Sequence, residues 1–76
     1  MYVLYGNIKG MKELEHSPYE EEIKVKLGYY IKTLDSIEYI VINKTPKQDF
    51  IIKSIMTYKD YENYINTPQK TLTKHL

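Results

Sequence analysis

The first hydrophobic run, Met1 to Tyr5, is β-branched and aromatic and ends at Gly6-Asn7. That pattern predicts a strand followed by a turn. Residues 9–16 are polar, with Met11 and Leu14 three apart, and suggest a loop carrying one helical turn. Ile23, Leu27, Tyr30, Ile31 and Leu34 then recur at the spacing of one helical face. Ahead of them stands Ser17-Pro18-Tyr19-Glu20. Serine can accept from the N3 amide, proline suits N1, and glutamate at N3 can reach back to the serine amide. Glu20, Glu21 and Glu22 also suit the positive end of a helix macrodipole. Together these signals predict a helix over about 18–35.

A competing pattern overlaps it. Ile23-Lys24-Val25-Lys26-Leu27 alternates strictly, as a half-buried strand does. Gly28 costs a helix interior about 1 kcal/mol relative to alanine. If 21–34 were strand, the fold would be mostly β. The capping residues and the longer helical periodicity favour the helix.

Residues 37–43 are apolar at both alternating positions, the pattern of a central strand covered on two faces. Thr45-Pro46-Lys47-Gln48-Asp49 supplies a turn, and Phe50 to Met56 reads as the returning strand of a hairpin over 37–56. Thr57-Tyr58-Lys59-Asp60 resembles a second cap and opens a short helix over about 58–65, with Tyr58, Tyr61, Tyr64 and Ile65 near one face. After Thr67-Pro68, the segment 69–76 either forms one turn through Leu72 and Leu76 or frays.

The expected fold is therefore α+β in the order β-α-β-β-α. One compact domain covers 1–66, and 67–76 is a C-terminal tail. The sheet is expected to be three-stranded and mixed, with the long helix on one face. The first strand-helix-strand connection would be right-handed if its strands were parallel neighbours. The short helix is the candidate to cover the second face of the strand at 37–43. Failing that, a second copy would cover it, so a homodimer enters as an expectation; an exposed sheet edge could also pair.

Composition changes the picture in three ways. Lys, Ile, Asn and Tyr, written with A/T-rich codons, total 34 of 76 residues, whereas Ala, Arg, Gly and Pro total 6. The gene is expected to be A/T-rich, as in low-GC bacteria, their phages and plasmids, and some archaeal viruses. The absence of cysteine excludes disulfide frameworks, thiolate metal sites and thiol nucleophiles. A net charge of +1 argues against both an acidic DNA mimic and a histone-like protein. With no basic leader or long apolar segment, the expectation is a cytoplasmic chain with no membrane association.

No catalytic, cofactor-binding or metal-binding residue set emerges. His16 has Glu13 and Glu20 nearby in sequence, but Ser17-Pro18 breaks the spacing; His75 stands apart in the tail. The serines lack a nearby histidine or nucleophile elbow. Gly6 and Gly10, with Lys12 following, lack the spacing and hydroxyl of a phosphate loop. The remaining feature is nine tyrosines, too many for so small a core. Tyrosine is rigid, amphipathic and enriched at interfaces. The candidate partner-binding residues are Tyr29, Tyr30, Tyr58, Tyr61 and Tyr64, with Lys26 and Lys59. The expected function is a non-catalytic protein-binding module. It would be an inhibitor or adaptor from an A/T-rich mobile element or low-GC bacterium that blocks a host or defence protein. The alternative is a nucleic-acid-binding or small regulatory protein using a lysine and tyrosine surface. The absence of arginine, the residue that reads guanine and grips phosphate as a fork, weighs against it.

Overall fold

A computed structural model describes residues 1–34 and 36–66. The turn expected through Leu72 and Leu76, and His75, lie outside the described residues. Strand β1 (Tyr2–Asn7) pairs with β2 (Met11–Ser17), helix α1 (Glu20–Thr33) follows, and then come β3 (Tyr39–Lys44), β4 (Asp49–Ile55) and helix α2 (Tyr58–Asn66). The four strands form one antiparallel sheet in the order β2-β1-β3-β4. The fold is thus α+β, but ββαββα with four strands rather than β-α-β-β-α with three. No two neighbouring strands run parallel, so the sheet is not mixed and the condition attached to the crossover is not met.

The extra strand is β2, where a loop with one helical turn was expected. Its cause is a bulge. Leu4 pairs with Glu15 and Tyr5 with Glu13, which leaves Leu14 as an extra residue. A bulge places two successive side chains toward one face and so erases the period-two pattern that marks a strand. Leu14 joins the core, and Glu15 beside it accepts a hydrogen bond from the Tyr30 hydroxyl of α1 at 2.9 Å. The edge strand β4 repeats the device. Val41 pairs with Lys53 and Ile42 with Ile51, and the extra Ile52 packs against the core.

The turn between β1 and β2 is closed by Asn7, whose Oδ1 accepts from the Gly10 amide at 3.1 Å. Lys9 and Gly10 both take positive φ, 61° and 107°. Gly6 is not part of that turn. It is buried in β1, and a Cβ there would meet Leu14 Cδ1 at 2.7 Å.

α1 is helical through the stretch that also alternates, and Val25 lies exposed on its outer side. Its start differs from the expected box. Ser17 is still paired to Tyr2 in the sheet, so the helix begins later, with Tyr19 at the N-cap and no side-chain cap. Ser17 is buried; its Oγ accepts from the Tyr19 amide at 3.0 Å and donates to Glu22 Oε1 at 2.6 Å. Glu22, not Glu20, is therefore its carboxylate partner. The cap of α2 has the expected residues. Thr57 Oγ1 accepts from the Asp60 amide at 3.1 Å, and Asp60 reaches back to the Met56 amide.

Both helices lie on the same face of the sheet. Leu4, Tyr39, Val41 and Ile55 from the strands, Ile23, Leu27 and Ile31 from α1, and Tyr64 from α2 form one buried cluster. The described residues form two layers, and α2 does not cover the second face of β3.

Candidate functional site: the open face of the sheet

Alternation along the strands assigns the second face. Leu4, Tyr39 and Val41 point into the core, so their neighbours Val3, Tyr5, Ile40 and Ile42 point the other way. The register places Val3 beside Ile42 and Tyr5 beside Ile40. None of these four belongs to the helix-side core or packs against it. Val3 is nonetheless only 3% exposed, while Tyr5, Ile40 and Ile42 are half-buried. They form a second apolar cluster, extended onto β4 by Ile51, which pairs with Ile42 and is 65% exposed.

Polar groups frame this cluster. His16 pairs with Val3 and Glu13 with Tyr5. The bulge at Leu14 puts these two residues, three apart in sequence, on one face, with His16 Nδ1 2.9 Å from Glu13 Oε2. At the other end of the strands Lys44 pairs with Asp49, and its Nζ lies 5.5 Å from the centre of the Tyr5 ring. Hydrogen bonding to Tyr5 first, then attraction to Tyr5, Asp49 and Glu13, holds the Lys44 ammonium above its ordinary range. The opposite end carries Glu38, whose carbonyl accepts from the Asn7 amide. Met11 of β2 falls by the same alternation on this face, and Met1 and Met56, which immediately flank β1 and β4, lie at its ends; all three are exposed. Every methionine of the chain therefore rims it.

The sequence-derived candidates lie on the helical side, and the structure does not gather them into one patch. Tyr64 is 7% exposed, donates to Glu20 Oε2 at 2.6 Å and lies under Lys24, whose Nζ is 5.0 Å from the ring centre. Tyr61 is half-buried against Gly28, where a Cβ would come within 2.5 Å of its hydroxyl. Tyr30 is tied to Glu15. Tyr29 is 69% exposed and meets Tyr30 edge-on at 5.6 Å, on the outer side of α1. Tyr58 is exposed, tilted against Tyr61 at 5.7 Å. Lys26 Nζ stands 3.9 Å from Glu15 Oε1, and Lys59 is exposed on α2.

The open-face cluster was not among the candidates, although it had a signal. Ile40 and Ile42 are apolar where a one-sided strand would be polar. Two shallow depressions occur elsewhere, one at Thr45, Pro46 and Phe50 of the β3–β4 turn and one at Glu21, Glu22 and Val25 on the outside of α1. Among the described residues no helix is long and apolar enough to cross a membrane, and no group of histidine and carboxylate side chains is placed to hold a metal ion. Comparison with family models, with curated proteins and with solved structures finds no match for the chain.

Proposed function

We propose that the protein is a non-catalytic protein-binding module whose open sheet face docks on another polypeptide. The observation that carries this reading is the second apolar cluster, Val3, Tyr5, Ile40, Ile42 and Ile51, on the side of the sheet away from both helices. An apolar patch with a polar rim is the anatomy of a protein interface. Methionine at its rim adds side chains that adapt to a partner's contour. Binding is favoured over catalysis because Glu13, His16, Lys44 and Asp49 frame an open surface rather than converge in a cleft that excludes water.

The finer reading is an inhibitor or adaptor that blocks a host or defence protein in the cytoplasm, motivated by a small, tyrosine-rich chain without a catalytic residue set; the coding composition bears on its source alone, an A/T-rich phage, plasmid or low-GC bacterium. Nucleic-acid binding has less support. Lys26 and Lys32 lie on α1, Lys12 on β2, Lys59 on α2, and Lys9 and Lys47 in the two hairpin turns, and the open face carries both signs of charge.

The test is a photo-crosslinking residue placed at Ile51, with the chain expressed in a low-GC bacterium. Adducts with a polypeptide are expected. Adducts with nucleic acid, or none, overturn the reading.

A further inference from the structure

We infer that the polypeptide covering the open face is a second copy of this chain, packed face to face about a two-fold axis running across the strands. The inference rests on the reading of that face as a protein-binding surface. Three features of the face select this occupant.

The register gives four rows across the sheet. Lys44 and Asp49 lie in the first, His16, Val3, Ile42 and Ile51 in the second, Glu13, Tyr5, Ile40 and Ser54 in the third, and Asn7 and Glu38 in the fourth. An axis between the second and third rows exchanges first with fourth and second with third. Val3 then faces Tyr5 of the second copy, and Ile42 faces Ile40. Lys44 leaves its position over Tyr5 and faces Glu38, while the Glu13 carboxylate faces the His16 imidazole. Asp49 falls opposite the Met56 end, so no like charges meet. An isologous interface needs this self-complementarity, and strands of the two sheets would run nearly aligned.

Pairing through the sheet edges is disfavoured. β2 and β4 are the edge strands; each carries a bulge, and they bear Lys12, Glu13 and Glu15 on one side and Asp49 and Lys53 on the other. Bulges and charges are what keep edges from adding strands.

The area sets the strength. Four strands spaced about 4.8 Å and about 20 Å long give a face of roughly 400 Å² in plan. Two such faces with their side-chain relief hide on the order of 1,000 Å², the lower end for a specific interface. An interface near that lower limit makes a dimer that forms and dissociates with concentration rather than an obligate one.

Sedimentation equilibrium on the full chain from micromolar to millimolar concentration should show a monomer–dimer equilibrium. Lys44→Glu and Glu38→Lys should each weaken association about tenfold, and the double variant should recover it. Within one chain these positions sit near opposite ends of β3, so only a contact between copies produces the rescue. Ile51→Lys, at an exposed position that folding does not need, should abolish the dimer. A monomer throughout, or a double variant as weak as the singles, overturns the inference. Crosslinking at Ile51 separates the two readings. Adducts with a different protein, together with a monomeric chain, remove the second copy and leave the binding module standing.

Discussion

The Tyr64 ring is buried while its hydroxyl keeps a carboxylate, Glu20, 2.6 Å away. Three tyrosine hydroxyls tie α1 in place: Tyr64 donates to Glu20 at its first turn, Tyr30 from its last turn to Glu15, and Tyr39 to backbone carbonyls at its end. The tyrosine excess is thus used partly for ties that an aliphatic residue could not make. It also gives the fold a pH limit. Burial first, then the bond to Glu20, pushes the Tyr64 hydroxyl well above the ordinary tyrosine range. Burial raises Tyr61, and the Glu15 bond raises Tyr30. In the unfolded chain these groups ionise near the ordinary value of 10.0. Above that pH the unfolded state has released protons that the fold still holds. Stability is therefore complete below about pH 10 and falls as pH rises toward the folded values. Urea midpoints followed by circular dichroism should be level to about pH 9 and decline beyond 10. Tyr64→Phe should cost about 1–2 kcal/mol at neutral pH and make the alkaline decline shallower. An unchanged slope in that variant would remove Tyr64 as its source.

At the scale of elements, the contacts that join helices and strands explain what the sequence does and does not disclose. Gly28 reads as a local cost to α1, yet it is the surface on which Tyr61 of α2 rests. Alanine there would gain about 1 kcal/mol of helix propensity but bring its Cβ within 2.5 Å of the Tyr61 hydroxyl. That overpacking costs roughly 1–3 kcal/mol. Gly28→Ala should therefore lower the urea midpoint, and Tyr61→Phe in the same chain should restore part of the loss, a coupling visible in a double-mutant cycle. Tyr39 closes the other end of α1, its hydroxyl placed 3.0 Å from the Tyr30 carbonyl and 2.9 Å from that of Leu34. Tyr39→Phe leaves this helix end without that partner and should destabilise by about 1–3 kcal/mol; a change below a few tenths would show that the hydroxyl is dispensable. α1, β3, β4 and α2 were legible because periodicity and turn or cap residues agreed there. β2 was not, because its bulge at Leu14 breaks alternation and most of its residues are polar. The Ser17 signature was half legible. Its residues announce a helix start, but the pairing of Ser17 with Tyr2, a contact distant in sequence, decides which carboxylate it meets. The open face was legible only as a surplus of apolar residues at Ile40 and Ile42. Which side α2 would take could not be read from its own residues, since an apolar face packs equally well on either side of a sheet.

For the whole molecule, placing both helices on one side of a four-stranded sheet leaves β1 and β3 apolar on a face that no other described element covers. In a single chain Val3 is hidden by its neighbours alone, whereas Ile51 contributes exposed apolar area and little to the core. Folding and association therefore draw on different residues. If the face binds a second copy, the dimer stabilises the fold by mass action, and the thermal midpoint must rise with protein concentration. A tenfold increase above the dissociation constant adds about 1.4 kcal/mol per dimer, or about 0.7 per chain. In a domain of this size that moves the midpoint by about 3–5 °C. Melting followed by far-ultraviolet circular dichroism at about 10 µM, 100 µM and 1 mM should show this rise in the natural sequence. Ile51→Lys should melt at the dilute-limit temperature at every concentration, because a substitution at an exposed position changes stability by less than about 0.5 kcal/mol while placing a charge in the interface. A midpoint that rises equally in both proteins would put the association on another surface. A variant midpoint below the dilute-limit value of the natural sequence would show that Ile51 supports the fold of one chain rather than the contact between two.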